Sequence, residues 1–163
     1  MTRIGLLSDT HGYLNPKMLE FFNKCDEVWH AGDIGTVQLA DELLAFKPIR
    51  AVVGNIDNYH LRRMFPVNQR FKCEEVDVWI THIGGYPARY DKRINDEIRL
   101  NPPKLFISGH SHILKVMPDK KLKLLHINPG AAGNNGFHHF VTAVRFVIDG
   151  SEIRDLEVLE IKR

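Results

Sequence analysis

The chain repeats one local pattern five times: a short apolar run, then a polar tip. Arg3 to Ser8 runs into Asp9-Thr10-His11, and Glu27 to His30 leads to Ala31-Gly32-Asp33. Ile49 to Val53 leads to Gly54-Asn55, Val76 to Thr81 to His82, and Lys104 to Ser108 to Gly109-His110-Ser111-His112. Short apolar runs bounded by turn residues read as buried strands. A fold that hides five of them lines up their ends along sheet edges, where α/β sheets gather ligand-binding residues.

Between the first strands the sequence reads as helix. Asn15 and Thr36 suit N-cap positions and Pro16 a first helical turn. Met18, Leu19, Phe22 and Cys25 form one apolar stripe; Val37, Ala40, Leu43 and Leu44 form another. Strand, helix, strand, helix, strand predicts a largely parallel sheet. The second half is richer in strand. Arg70 to Cys73 and Val76 to Thr81 are joined by a Glu74-Glu75 turn, and Asp149-Gly150 marks a hairpin. A helix is expected over Asp91 to Leu100, stopped by Pro102-Pro103. The expected architecture is α/β, two sheets with helices on their outer faces, in a single domain spanning residues 1–163.

Composition narrows the function classes. A net charge of +2 is too small to favour nucleic acid or an acidic membrane as partner. The densest basic patch, Asp119-Lys120-Lys121-Leu122-Lys123, reads as a solvated hairpin tip. Cys25 and Cys73 match no metal spacing and read as buried free thiols. Met1 to Asp9 does not read as a signal peptide, so none is expected, and no apolar run approaches the roughly 20 residues a membrane helix needs. The expected location is cytoplasmic.

Asp9, His11, Asp33, Asn55, His82, His110 and His112 are all types that bind a hard or borderline cation through oxygen or imidazole nitrogen. Asp9 and His11 stand two apart, which on extended backbone puts both on one side. His110 and His112 repeat that spacing across a tight turn, which allows the two imidazoles to serve one ion or different ions. Seven ligands exceed one tetrahedral ion and suit two divalent ions, the usual arrangement for hydrolysing phosphate esters. Mixed His, Asp and Asn ligation favours Mn²⁺, with Fe²⁺, Zn²⁺ or Ni²⁺ as alternatives, over Ca²⁺.

Asp9-x-His11, Gly32-Asp33, Gly54-Asn55-x-Asp57, Thr81-His82 and Gly109-His110-x-His112 resemble the calcineurin-like metallophosphoesterases. The blocks stand in that family's order, and the small bacterial and archaeal phosphodiesterases are the nearest branch. Asn128-Pro129-Gly130 resembles a further loop of the family. The resemblance implies a four-layer α/β/β/α sandwich of two mixed sheets flanked by helices. It implies that Asp9, His11, Asp33 and His112 hold one ion and that Asp33, Asn55, His82 and His110 hold the second. Asp33 bridges them, and Asp57 orients His11 or a neighbouring ligand. The implied activity is hydrolysis of a small phosphate diester by a hydroxide bridging the ions, with Asp33, Asn55 and His82 in the catalytic set. The same fold also serves as a retromer subunit that works through protein contacts, so a non-catalytic scaffold is the alternative, to be separated by stoichiometric metal. A nuclease ranks lower, for want of a basic stripe. A homo-oligomer is left open.

Three positions depart from the family pattern. Ile56 stands where many relatives carry the histidine that protonates the leaving group, which predicts a preference for good leaving groups. Gly84 or Gly85 falls where a further histidine ligand is common, and Ala131 where a serine often follows the glycine. Of the remaining histidines, His30 reads as structural and so does His126, with the site's rim as its alternative, and His138 and His139 read as surface loop, with reach to the site or an oligomer partner as theirs. His60 is the nearest substitute acid in sequence, and Arg89 and Tyr90 read as solvated loop residues, with contact to a substrate phosphate as the alternative.

Overall fold

The computed structural model describes residues 1–163. In chain order the elements are β1 (Thr2–Leu7), α1 (Pro16–Phe21), β2 (Glu27–His30), α2 (Val37–Phe46), β3 (Ile49–Ala51), α3 (Tyr59–Met64), β4 (Asn68–Cys73) and β5 (Val76–Thr81). They continue with β6 (Gly85–Tyr86), β7 (Arg89–Tyr90), α4 (Asn95–Leu100), β8 (Leu105–Ile107), β9 (Leu114–Asp119), β10 (Leu124–Pro129), β11 (Phe140–Asp149) and β12 (Glu152–Lys162).

Side-chain alternation along the strands sorts the residues into layers. In β1, Ile4 and Leu6 face one way and Leu7 the other; in β5, Val78 and Ile80 oppose Trp79; in β8, Leu105 and Ile107 oppose Phe106. The inward set packs with Trp29, Val144 and Phe146 between two five-stranded sheets. Leu7 and Val28 meet Met18 and Phe22 on one outer face. Ala51 and Val53 meet Leu39, Leu43 and Leu61, and Trp79 and Phe106 meet Ile94 and Ile98. The result is an α/β/β/α sandwich, thinner over the second sheet, where α4 stands beside the two-stranded β6–β7 ribbon.

The first sheet has the order β12-β11-β1-β2-β3, with β1, β2 and β3 parallel and β11 antiparallel to both its neighbours. The second has the order β4-β5-β8-β10-β9, with β5, β8 and β10 parallel and an antiparallel strand on each edge. Parallel strands present their carboxyl ends along a common edge, so the polar tips after β1, β2, β3, β5 and β8 emerge side by side.

The predicted caps are present: Asn15 Oδ1 accepts from Lys17 N and Thr36 Oγ1 from Leu39 N. Other expectations are corrected. The helix expected from Asp91 starts at Asn95, because Asp91 instead closes a turn by accepting from Arg93 N. The strand expected through Val53 ends at Ala51. The short helix α3, capped by Asn58, and the β6–β7 ribbon were not foreseen. Tyr90 is no solvated loop residue: it packs against Phe106 and its hydroxyl donates to Asp119 Oδ2 at 2.7 Å.

Candidate metal centre

All seven residues singled out in the sequence lie at one edge of the sandwich. Asp9, His11 and His112 form one group of potential ligand atoms within 4.8 Å of one another, and Asp33, His82 and His110 form a second. Asp33 Oδ2 faces both groups, 3.5 Å from His11 Nε2 and 3.2 Å from His82 Nε2. Asp9 Oδ1 lies 3.2 Å from His112 Nε2 and 3.8 Å from His82 Nε2. Asn55 stands at the open rim, its Oδ1 3.1 Å from His110 Nδ1.

The backbone that aims these side chains is strained. Asp9, His11, Asp33, His110 and His112 all have positive φ, between 48° and 71°. Left-handed non-glycine residues each cost about 1–3 kcal/mol and persist only where surrounding structure enforces them. Asp9 and His11 therefore share a cluster through a turn, and the extended-backbone argument for their pairing is corrected.

The enforcing contacts can be named. His30 is fully buried, with Nδ1 accepting from Gly32 N at 3.0 Å and Nε2 3.0 Å from Thr10 Oγ1. The Thr10 hydroxyl donates to Ile34 O at 2.8 Å, so the tips of β1 and β2 are tied together. Burial pushes His30 down to about 4, and the neutral ring serves as the hub of that tie. Asp57 accepts from Ile34 N, Gly35 N and Gly54 N at 3.2, 2.9 and 2.8 Å. It pins the Asp33 loop to the Asn55 loop and makes no hydrogen bond to His11, so of the two expected roles it takes the one toward a neighbouring candidate ligand. On the second sheet Asn128 Nδ2 donates to Gly109 O and Ser111 Oγ, holding the turn that carries His110 and His112. Gly54 and Gly109 permit close approach: a Cβ at either would collide with Asp33 Oδ1 or with Ser8 Oγ.

Burial alone would raise both carboxyls. For Asp9 it is outweighed by the His112 imidazole, with help from His82 and the Ser8 hydroxyl, and the pKa falls below the usual carboxylate range. Asp33 is held low in the same way, chiefly by His82. Burial would lower His82, but Asp33 and Asp9 outweigh it and raise its pKa. His82 Nδ1 donates to Ala31 O at 2.7 Å, which fixes the tautomer and turns the Nε2 lone pair toward the carboxylates. Asp9 Oδ1, His11 Nε2 and His82 Nε2 are buried without a hydrogen-bond partner. Such atoms are rare in folded proteins unless a ligand satisfies them. Two carboxylates, imidazoles with free Nε2 and an amide oxygen form a donor set that fits divalent transition metals.

Three further residues reach this edge, Asn135 and Arg163 without any local sequence signal and His138 from the loop noted in the sequence. Asn135 Nδ2 stands 3.1 Å from His11 Nδ1. Arg163 donates to the carbonyls of Asn134, Gly136 and His138 and so straps the loop that bears Asn135. His138 packs edge-on against His112 with ring centroids 5.3 Å apart, closer to the site than a surface-loop assignment implies. His60 lies exposed on α3 against Tyr59, Arg89 is exposed in β7, and His139 is exposed; none bonds to the seven. Two clefts adjoin the site. His110 lines one and Asn55 and His82 line the other, with Ile83 between them.

The model of the calcineurin-like phosphoesterase superfamily domain matches residues 2–151. A probable metallophosphoesterase of Methanothermobacter thermautotrophicus is 27% identical over 135 residues, covering 78% of this chain and 76% of that protein. Among solved structures, an archaeal phosphodiesterase superposes with a TM-score of 0.77 at 23% identity, covering 96% of this chain and 99% of its own. Vps29 of Entamoeba histolytica, solved in complex with Zn²⁺, superposes with a TM-score of 0.75 at 15% identity over 98% of each chain.

Proposed function

The chain belongs to the calcineurin-like phosphoesterase superfamily, and on that premise we propose that it is a metal-dependent phosphodiesterase acting on small phosphate diesters. The observation that carries the diester reading is the pair of clefts flanking the site. A monoester needs room for one organic group; a diester needs two, one on either side of the phosphorus. The similarity in fold to an archaeal phosphodiesterase points the same way.

Asp9, His11, Asp33 and His112 would hold one divalent ion and Asp33, Asn55, His82 and His110 a second, with Mn²⁺ favoured. Bound there, the ions would supply Lewis-acid neutralisation of phosphoryl charge and acidify a water for attack. The protein's own part is positional. Asp33 offers one carboxylate oxygen to both groups. His82 keeps its proton on Nδ1 through Ala31, so its orientation is set before any substrate arrives. Asn55 turns Oδ1 toward His110 and leaves its amide N–H groups to donate to a phosphoryl oxygen. At the position of the missing acid, Ile56 is exposed and contributes only its backbone N–H, donated to Asp33 Oδ1 at 3.1 Å. The side chain cannot protonate a leaving group, so esters of acidic alcohols such as nitrophenol should turn over best.

A protein-binding scaffold is the rival reading, favoured by the likeness to Vps29. Metal content does not separate the two, since that Vps29 was solved with Zn²⁺. Turnover does. With stoichiometric Mn²⁺, bis(4-nitrophenyl) phosphate should be hydrolysed at least tenfold faster than 4-nitrophenyl phosphate, and chelation should abolish both reactions. A fully metallated protein that cleaves neither ester would overturn the proposal.

A further inference from the structure

The cleft beside His110 has a volume of about 250 Å³. That is below the roughly 300–1,000 Å³ of pockets for drug-sized ligands and suits a single ring system. Its outer walls include Ile83, Tyr86 and Ile113, the last 60% exposed. Lys115 closes one side, its Nζ 3.5 Å from the centre of the Tyr86 ring.

His126, a residue the phosphate chemistry leaves unused, lies deep in this cleft. It sits on β10, is fully buried, and donates from Nδ1 to Phe106 O at 3.1 Å. That bond fixes the tautomer, so Nε2 carries a lone pair and no proton. This atom is buried and has no hydrogen-bond partner in the protein. Burial pushes the ring down to about 4, which keeps it neutral at physiological pH. The cleft therefore combines apolar walls, an aromatic face and one buried acceptor of fixed direction. An acceptor of this kind discriminates strongly between a ligand that brings an N–H and one that does not.

We infer that this cleft is the subsite for one organic arm of the substrate, that the arm carries a nucleobase-like ring, and that His126 Nε2 accepts a hydrogen bond from a ring or exocyclic N–H. His110 lines both the cleft and the metal centre, so an arm attached to a phosphate held there enters directly. The inference rests on the phosphoesterase reading only for the position of that phosphate.

The test is a binding experiment, separate from turnover. The protein as purified is titrated with the 5′-monophosphates of adenosine, guanosine, cytidine and uridine, and with inorganic phosphate, in native and His126→Phe forms. At least one nucleotide should bind about tenfold more weakly to the variant while phosphate affinity stays within twofold. The imidazole ¹⁵N resonance of His126 Nε2 in the native protein guards against a misfolded variant. It should move on addition of that nucleotide and stay put with phosphate. Equal losses for nucleotides and phosphate, no loss for any nucleotide, or an unmoved resonance would each overturn the inference. If nucleotides discriminate but no diester is cleaved, the subsite stands and the hydrolytic reading fails.

Discussion

The two halves of the metal centre are built differently. Asp9, Asp33 and His82 sit on a buried base, tied by His30, Thr10 and Asp57 into the loops after β1, β2 and β3. His110 and Asn55 form an exposed rim, where each has the other as neighbour. Burial strengthens electrostatic interactions and fixes geometry, but it makes every unpartnered atom costly. Exposure is cheap and adaptable and leaves room for substrate. The base is suited to holding ions and the rim to meeting the phosphate.

The strongest test of this division is Asp33→Asn. It removes the carboxylate oxygen that faces both groups and keeps a residue type tolerant of positive φ. Activity should fall by a factor of about 10³ or more, and bound metal, measured by elemental analysis, should drop for both ions. Full metal occupancy in this variant would break the distinction between base and rim.

The next test uses acid. Folded His30 has a pKa of about 4 against the ordinary histidine value of 6.5, so between those values the unfolded chain binds a proton that the buried ring refuses. Stability is then intact above pH 6.5 and declines toward pH 4, by about 3 kcal/mol from this residue. Chemical denaturation of metal-free protein across that range should show a steep slope, shallower in His30→Gln. Equal slopes would mean that His30 is not the hub of the base.

Asp57→Asn comes third. A charged acceptor of three backbone N–H groups is replaced by a neutral one, at a cost of about 2 kcal/mol in denaturant midpoints. Because Asp57 acts through the Asp33 loop, metal affinity should weaken with stability even though the Asp57 carboxylate hydrogen-bonds to no candidate ligand. The smallest effect belongs to the rim. Asn55→Ala should leave thermal stability unchanged and lower kcat/KM by about tenfold; a large loss of stability would show that the rim also carries the fold.

Much of this was legible in the sequence because it depends on local pattern. Apolar runs mark the strands, Asn15 and Thr36 mark helix starts, and the polar tips identify the edge where seven side chains meet. What stayed hidden depends on loop geometry and distant partners. Nothing local in Gly54-Asn55-Ile56-Asp57 says that Asp57 will serve three backbone amides, two of them more than twenty residues away. Asn135 reaches His11 across 124 positions, and Arg163 acts through carbonyls that any residue type would supply. Helix α3 is a six-residue element whose single buried side chain, Leu61, leaves no periodicity to read. His126 looked like an ordinary core histidine, and its lone pair becomes visible only when its neighbours are in place.

The positive φ angles at Asp9, His11, Asp33, His110 and His112 have a consequence for anyone wishing to move this centre into another scaffold. Copying the seven residue types onto strand ends of ordinary extended backbone would send the side chains in other directions. The transferable unit is a set of loops with left-handed positions already enforced, together with the buried histidine and aspartate that hold them. A host would need those supports in place before the ligands could be grafted.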